Sequence, residues 1–191
     1  MPEISHVRLQ VPEQATLNRV LREGGAQSFP QWLYAEPGPD VRILWWGLRG
    51  GLEPVLAPDD ERAGLFPRAV DDWTEAPRAV VLATASNERA ATDLEPLIGA
   101  DWHEEGVDNV LTATCRRTTL GRGELVLAEP AGKGYLADYL AALGEGPVAV
   151  AIDGTTTTGR AVIRNPVTGG QASWVRLGPG NAPYFLFLPA R

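Results

Sequence analysis

The chain has 191 residues, of which 44% are hydrophobic and 21% are charged, so it can bury a substantial core and has the composition of a globular protein. Its formal net charge of −7 argues against nucleic acid as a partner, because phosphates require a basic face. The sequence has no basic amphipathic segment and no apolar run long enough to cross a bilayer, so we expect no membrane partner either.

The single cysteine and the amino-terminal residues bear on the compartment. One cysteine, Cys115, excludes an intrachain disulfide and a cysteine-based zinc cluster. The first residues show no cationic segment followed by an apolar run, so we expect no signal peptide and a cytoplasmic protein. The abundance of Ala, Gly, Arg and Pro favours a GC-rich bacterial source.

A unit of roughly 70 residues recurs along the chain, which favours stacked copies of a small module over one irregular domain. Each unit opens on an apolar, strand-like run and closes on a strand that ends in proline. The opening runs are Ser5–Pro12, Arg78–Thr84 and Pro147–Asp153. The closing runs are Leu52–Pro58, Glu124–Pro130 and Tyr184–Pro189. The predicted modules are therefore residues 1–76, 77–146 and 147–191, and the third is shortened.

Within the first unit, the pattern predicts a helix over Gln14–Gly25, with Leu17, Val20 and Leu21 on one face. The stretch Gln27–Asp40 is rich in Pro, Gly and aromatic residues and predicts an irregular connection. A strand over 41–48 follows, because β-branched and aromatic residues are concentrated there.

The second unit repeats the same order. Asn87 is a candidate N-cap for a helix over Glu88–Ile98, and Gly99 ends that helix. A strand is predicted over Asn109–Thr119, and a second helix over Lys133–Leu143. The third unit has strands but no helical pattern of its own. Since no unit alone buries both faces of such a sheet, the units must pack on one another in an α+β fold.

Two segments resemble the vicinal oxygen chelate superfamily, which includes glyoxalase I, methylmalonyl-CoA epimerase, extradiol dioxygenases and bleomycin-resistance proteins. Ile4–Pro12 looks like the opening strand of that superfamily, where an apolar residue precedes a His-Val pair. Leu120–Ile152 looks like a closing strand, a helix and the next opening strand. The resemblance implies an α+β fold of repeated βαβββ modules, with curled sheets around a cavity and helices outside.

The enzymes of that superfamily hold a divalent metal on side chains from the opening and closing strands. His6 and Glu53 match two such positions, and this pair suits Zn, Ni, Fe or Mn. The second unit has Ala79 and Val126 at the matching places, and His103 lies in a predicted polar loop. Two ligands do not hold a catalytic metal, so we predict no metal site and no cofactor.

His6 and Glu53 are also the candidate catalytic residues. A histidine can act as acid or base because its pKa lies near the working pH, yet it can equally be a core-edge residue bonded to the backbone. A buried Glu53 needs a partner, for which His6 and Arg42 are the candidates. The sequence leaves open whether His6 is an acid–base residue or a core-edge residue.

Six tryptophans are many for this length. Aromatic walls with few polar groups are typical of pockets for planar or apolar molecules. We therefore take Trp45, Trp46, Arg42 and Trp102 as candidate ligand-binding residues. The alternative is that the tryptophans only fill the space between sheets.

Three functions remain open from the sequence. The first is a metal-independent protein of vicinal oxygen chelate type that binds an apolar or planar small molecule in an aromatic-lined cavity. The second is an isomerase, lyase or cyclase that uses His6 and Glu53 for acid–base chemistry. The third is an interaction module without a ligand. A homodimer is expected in each case, because the incomplete third unit leaves a sheet edge to cover.

Overall fold

The fold is known from a computed structural model, which describes residues 2–50, 63–69, 75–154, 163–165 and 170–189. Within these ranges the helices are α1 (Gln14–Glu23), α2 (Asn87–Ile98) and α3 (Tyr135–Leu143), and a short 3-10 turn covers Ala63–Leu65. The strands are β1 (Glu3–Val11), β2 (Leu33–Pro37), β3 (Arg42–Arg49), β4 (Arg68–Ala69), β5 (Ala79–Ala83), β6 (His103–Asp108), β7 (Ala113–Leu120), β8 (Gly123–Pro130), β9 (Gly146–Asp153), β10 (Ile163–Asn165), β11 (Gly170–Arg176) and β12 (Tyr184–Leu188). None of the helices described is long and apolar enough to span a membrane.

The first unit forms a four-stranded sheet in the order β2-β1-β3-β4. Strand β1 runs parallel to β2 and antiparallel to β3, so Val7 lies between Leu33 and Trp46. The prediction of an irregular connection over Gln27–Asp40 is wrong for β2. The sequence Leu-Tyr-Ala-Glu-Pro of β2 has no β-branched residue and carries no strong strand signal, and its pairing comes from the edge that β1 offers. The predicted closing strand Leu52–Pro58 lies outside the described residues.

The rest of the chain forms an eight-stranded sheet in the order β10-β11-β12-β9-β5-β8-β7-β6. In the half made by β5 to β8, β5 runs parallel to β8, and β7 and β6 follow antiparallel. The other half repeats this arrangement, with β9 parallel to β12 and with β11 and β10 antiparallel. The halves join where β5 and β9 pair antiparallel, with Val80 opposite Val150. The predicted α+β class with βαβββ-type strand order is confirmed, while the module boundaries stay predictions.

The two faces of this sheet are covered by different elements. One face carries Val80 and Leu82 of β5 and packs in one core with α2, α1 and the first sheet. The opposite face carries Ala79 and Val81 and packs against α3. The residues of β5 are all buried, because the strand has a packed layer on each side. This explains why its sequence is apolar throughout instead of alternating.

Local capping sets the ends of α2. The side chain of Ser86 accepts a hydrogen bond from the backbone N–H of Arg89, so the N-cap lies one residue before the predicted Asn87. Gly99 ends the helix in the left-handed conformation with a φ of 56°, as the sequence predicts.

The segment between α2 and β7 differs from its prediction. His103 begins strand β6 and does not lie in a loop. The predicted strand 109–119 starts too early, because Asp108 Oδ1 accepts hydrogen bonds from the backbone N–H groups of Val110 (2.9 Å) and Leu111 (2.7 Å). A carboxylate that bonds the backbone two and three residues ahead closes a turn and competes with strand pairing.

Cys115 is expected to be inert in the folded protein. Its side chain is 2% exposed, and burial raises the pKa of the thiol from 9.0 to about 12. The reactive thiolate is therefore roughly a thousandfold scarcer at pH 8 than for an ordinary cysteine. We expect 5,5′-dithiobis(2-nitrobenzoate) to modify the native protein only as it unfolds, and to react at once in guanidinium. Fast modification of native protein would contradict this burial.

Candidate functional site

His6 lies on β1, inside the protein rather than at a cavity wall. It is 5% exposed, its Nδ1 lies 2.7 Å from the hydroxyl of Ser5, and its ring stacks on Tyr34 at 5.0 Å between centroids. Glu53, its predicted catalytic partner, lies outside the described residues. The His6–Glu53 pair therefore stays a prediction.

Two of the positions that match the metal ligands of the superfamily carry no donor atom. Ala79 on β5 and Val126 on β8 are fully buried apolar residues, which cannot coordinate a cation. In the part of the chain that the structure describes, no three His, Cys, Asp or Glu side chains come together as metal ligands. These residues do not fit the metal that the resemblance implies, and no chemistry is derived through one.

The three candidate tryptophans differ in burial and in their neighbours. Trp46 is fully buried, and its indole Nε1 donates to the carbonyl of Leu65 at 3.3 Å. Trp45 is half-buried, with the Arg68 guanidinium 5.0 Å above its ring. Trp102 is half-buried at the edge of the main core. None of the three lines the cavities at Arg42 described next, and their role in binding stays a prediction.

Arg42, the fourth candidate, lies at the junction of two cavities of about 410 and 160 Å³ that also share Leu143. We call these two cavities together the Arg42 groove. The walls of the larger cavity are mainly apolar and include Pro12, Pro39, Val41, Pro179 and Ala182. The smaller cavity is more polar and includes Tyr139 and Glu145.

Secondary structure brings these residues together from distant parts of the sequence. Arg42 begins β3 opposite Gln10 of β1, and its Nε donates to Gln10 Oε1 at 3.1 Å. Tyr139 and Leu143 are four residues apart on α3, so both face the groove. Leu143 is 46% exposed, so it offers apolar surface to the groove.

Tyr139 contributes a fixed and neutral hydroxyl. The hydroxyl donates to the carbonyl of Pro147 at 3.0 Å. Burial raises the pKa of Tyr139 to about 12, although the nearby charge of Arg42 acts in the opposite direction. The phenol therefore keeps its proton at neutral pH and holds the end of α3 against β9.

Glu145 is a buried carboxylate with one oxygen in use and one without a partner. Oε1 accepts hydrogen bonds from Thr84 Oγ1 at 2.8 Å, from the backbone N–H of Ala85 at 2.6 Å and from the guanidinium of Arg89. Oε2 is buried and has no hydrogen-bond partner among the residues that the structure describes. The side chain is only 7% exposed. A carboxylate oxygen in this position requires a donor.

Sequence reasoning missed Glu145. In the run Gly144-Glu145-Gly146 the two glycines indicate the end of a helix, and the pattern gives no functional prediction for the glutamate between them. The available signal was a charged residue directly before the wholly apolar start of β9. Its burial follows from packing against the loop after β5, which the local sequence does not show.

An aromatic cluster does lie next to the groove, but it is built from residues other than the candidates. The Arg176 guanidinium lies 4.5 Å from the ring centre of Tyr135 and 5.4 Å from that of Tyr184. Trp174 meets Tyr184 edge to face at 5.5 Å. The hydroxyl of Tyr135 donates to the carbonyl of Ala182 at 2.8 Å, and this joins the cluster to the groove wall.

Comparison with known proteins gives structural neighbours only. No family model matches the sequence, and no curated protein matches it. Similar solved structures include methylmalonyl-CoA epimerase from Mycobacterium tuberculosis, with a TM-score of 0.46 and 15% identity over 60% of this chain and 88% of that chain. BphC, a halotolerant catechol dioxygenase, has a TM-score of 0.49 and 11% identity over 81% and 70% of the two chains.

A third similar structure is a triple mutant of 4-hydroxymandelate synthase from Streptomyces coelicolor, with a TM-score of 0.46 and 15% identity over 80% of this chain and 71% of that chain. All three proteins have vicinal oxygen chelate folds, the class that the sequence resembles. Scores this low say nothing about the activity of this chain. Its own fold rests on the strand order and registers given above.

Proposed function

We propose that this chain is a binding protein of vicinal oxygen chelate type, which holds an apolar or planar small organic molecule in the Arg42 groove without a metal. The observation that carries the proposal is the pair of cavities that meet at Arg42 and Leu143. The larger cavity, at about 410 Å³, has the size typical of small-molecule sites.

The walls of the groove favour an apolar body in the ligand. Pro12, Val41 and Pro179 line the larger cavity together with Leu143, whose side chain is left 46% exposed. A ligand that covers Leu143 removes apolar surface from water, which is the main favourable contribution to such binding. The proline rings and branched side chains are rigid, so little conformational entropy is lost when the ligand binds.

Arg42 favours an acidic group on the ligand. Its guanidinium is exposed and is oriented by Gln10 through Nε, which leaves the terminal N–H groups directed away from that contact. The planar fork of a guanidinium binds a carboxylate through two parallel hydrogen bonds. The proposed ligand is therefore an apolar or planar molecule with a carboxylate or a similar anionic group.

Titration with naphthalene-2-carboxylate, a planar apolar acid, tests this proposal. We expect saturable binding by calorimetry and an affinity about tenfold lower in Arg42→Ala, because a charge-assisted bond is lost. Arg19→Ala is the matched control, since Arg19 is an exposed arginine of α1 away from the groove. No binding to the unmodified protein, or equal losses in both variants, would overturn the proposal.

A further inference from the structure

From the position of Glu145 we infer that the ligand of the Arg42 groove is an amino acid with an apolar or aromatic side chain. In this arrangement the ligand carboxylate binds Arg42, and its ammonium binds Glu145. The inference rests on the proposed function and adds the class of ligand to it.

The first argument is that the two oxygens of the Glu145 carboxylate differ in their hydrogen bonding. Oε1 already accepts three hydrogen bonds, from Thr84, Ala85 and Arg89. Oε2 is buried and accepts none from the residues that the structure describes. An ionised oxygen without a donor is costly to bury, so a donor supplied by a ligand stabilises the complex. Glu145 lines the smaller cavity, where such a ligand can approach.

The second argument concerns the kind of donor that Oε2 can accept. The carboxylate bonds the backbone N–H of Ala85 just before α2, so it lies beside the N-terminus of that helix and also follows the C-terminus of α3, and the two helix ends act in opposite directions. The Arg89 guanidinium pairs with Oε1 and offsets the charge of the carboxylate, so Oε2 still provides a hydrogen-bond acceptor and not an unpaired charge. An ammonium group provides three N–H donors in a compact head group.

The third argument is the spacing of opposite charges along the groove. Arg42 and Glu145 both line the smaller cavity, whose volume of about 160 Å³ accommodates an amino-acid head group. The larger cavity begins at the same Arg42 and Leu143 and continues along a wall that is mainly apolar, with Asp40 and Asn181 as its other polar residues. A ligand with adjacent carboxylate and ammonium groups and an apolar side chain matches this order. Because Oε2 is buried, binding of the ammonium requires a small movement of the groove wall.

Four probes of similar size distinguish the contribution of the ligand ammonium to affinity from that of the ligand carboxylate. They are L-phenylalanine, N-acetyl-L-phenylalanine, 3-phenylpropanoate and 2-phenylethylamine. By calorimetry at pH 7 we expect L-phenylalanine to bind at least about tenfold more tightly than 3-phenylpropanoate and N-acetyl-L-phenylalanine, which lack the ammonium. We expect 2-phenylethylamine, which lacks the carboxylate, to be weaker than L-phenylalanine as well. Equal affinity of the unmodified protein for L-phenylalanine and 3-phenylpropanoate would overturn the inference.

The Glu145→Gln variant tests the proposed contact between the ligand ammonium and Glu145 Oε2. Glutamine keeps an acceptor oxygen at the place of Oε1 and puts an NH₂ donor at the place of Oε2. We expect this variant to lose about tenfold in affinity for L-phenylalanine and to keep its affinity for 3-phenylpropanoate. An unchanged affinity for L-phenylalanine means that water satisfies Oε2, and it also overturns the inference.

The two proposals fail in distinguishable ways. If naphthalene-2-carboxylate binds and depends on Arg42, while the ammonium makes no difference, the proposed function stands and the inference falls. If naphthalene-2-carboxylate does not bind, both fall. The comparison of probes on the unmodified protein needs no variant, so it remains decisive if Glu145→Gln fails to fold.

Discussion

Replacing Gly24 by alanine is expected to lower the free energy of unfolding by about 3 kcal/mol, because the added methyl group overpacks a rigid site. A Cβ at Gly24, just after α1, would lie 2.2 Å from two ring carbons of Phe187 on β12. Phe187 is fully buried and cannot move aside cheaply. Gly24 has a φ of −77°, which any residue can adopt, so the cost is steric and not conformational.

Urea denaturation followed by far-ultraviolet circular dichroism measures this effect. Gly132→Ala is the matched control, because a Cβ at Gly132 meets no atom within 4 Å. Shortening the ring in the double variant Gly24→Ala/Phe187→Leu should cost less than the sum of the two single changes, because the two sites share one contact. A Gly24→Ala protein as stable as Gly132→Ala would show that α1 does not pack on β12 as described.

Trp46→Ala is expected to cost about 4 kcal/mol of stability, in the range for removing a large aromatic side chain from a core. Trp46 is 0% exposed, and its Nε1 bonds the carbonyl of Leu65, so the change leaves both a cavity and an unpaired acceptor. Trp46→Phe retains most of the packing and should cost less, since the loss of the hydrogen bond is the main change.

Trp45 is the internal control for this experiment. It neighbours Trp46 on β3 but is only half-buried and lies beside Arg68. Trp45→Ala should cost about 1 kcal/mol and leave the affinity for naphthalene-2-carboxylate unchanged, because Trp45 does not line the Arg42 groove. Equal losses of stability would contradict the burial described for β3. A loss of ligand affinity in Trp45→Ala would restore the tryptophan pair as a binding surface.

The local sequence pattern predicted the strands and helices whose hydrophobic or capping signals lie within a few neighbouring residues. The apolar runs of β5, β8 and β9 are readable because strands buried on both faces show continuous Ala, Val and Leu. Helix α2 is readable because its cap and its terminal Gly99 are encoded locally. The resemblance to the vicinal oxygen chelate superfamily implied βαβββ-type strand order, which the eight-stranded sheet confirms.

The binding-site predictions depended on which side chains share a space, and this is where the sequence was least informative. Of the described candidates, only Arg42 lies in the groove, whereas Trp46 is in the core and His6 stacks on Tyr34. The identity of a tryptophan in the sequence does not distinguish a side chain that lines a pocket from one that fills a core. Strand alternation places Trp45 and Trp46 on opposite faces but does not say what covers each face.

By itself, therefore, the sequence determined the kind of fold and the positions of the central strands, because hydrophobic periodicity and capping act over short distances. Only the tertiary structure decided that β2 pairs with β1, that β5 joins β9, and that Arg42, Tyr139 and Glu145 surround one groove. Such contacts join residues far apart along the chain. Their free energy comes from the packing of whole faces, so no local pattern encodes which faces meet.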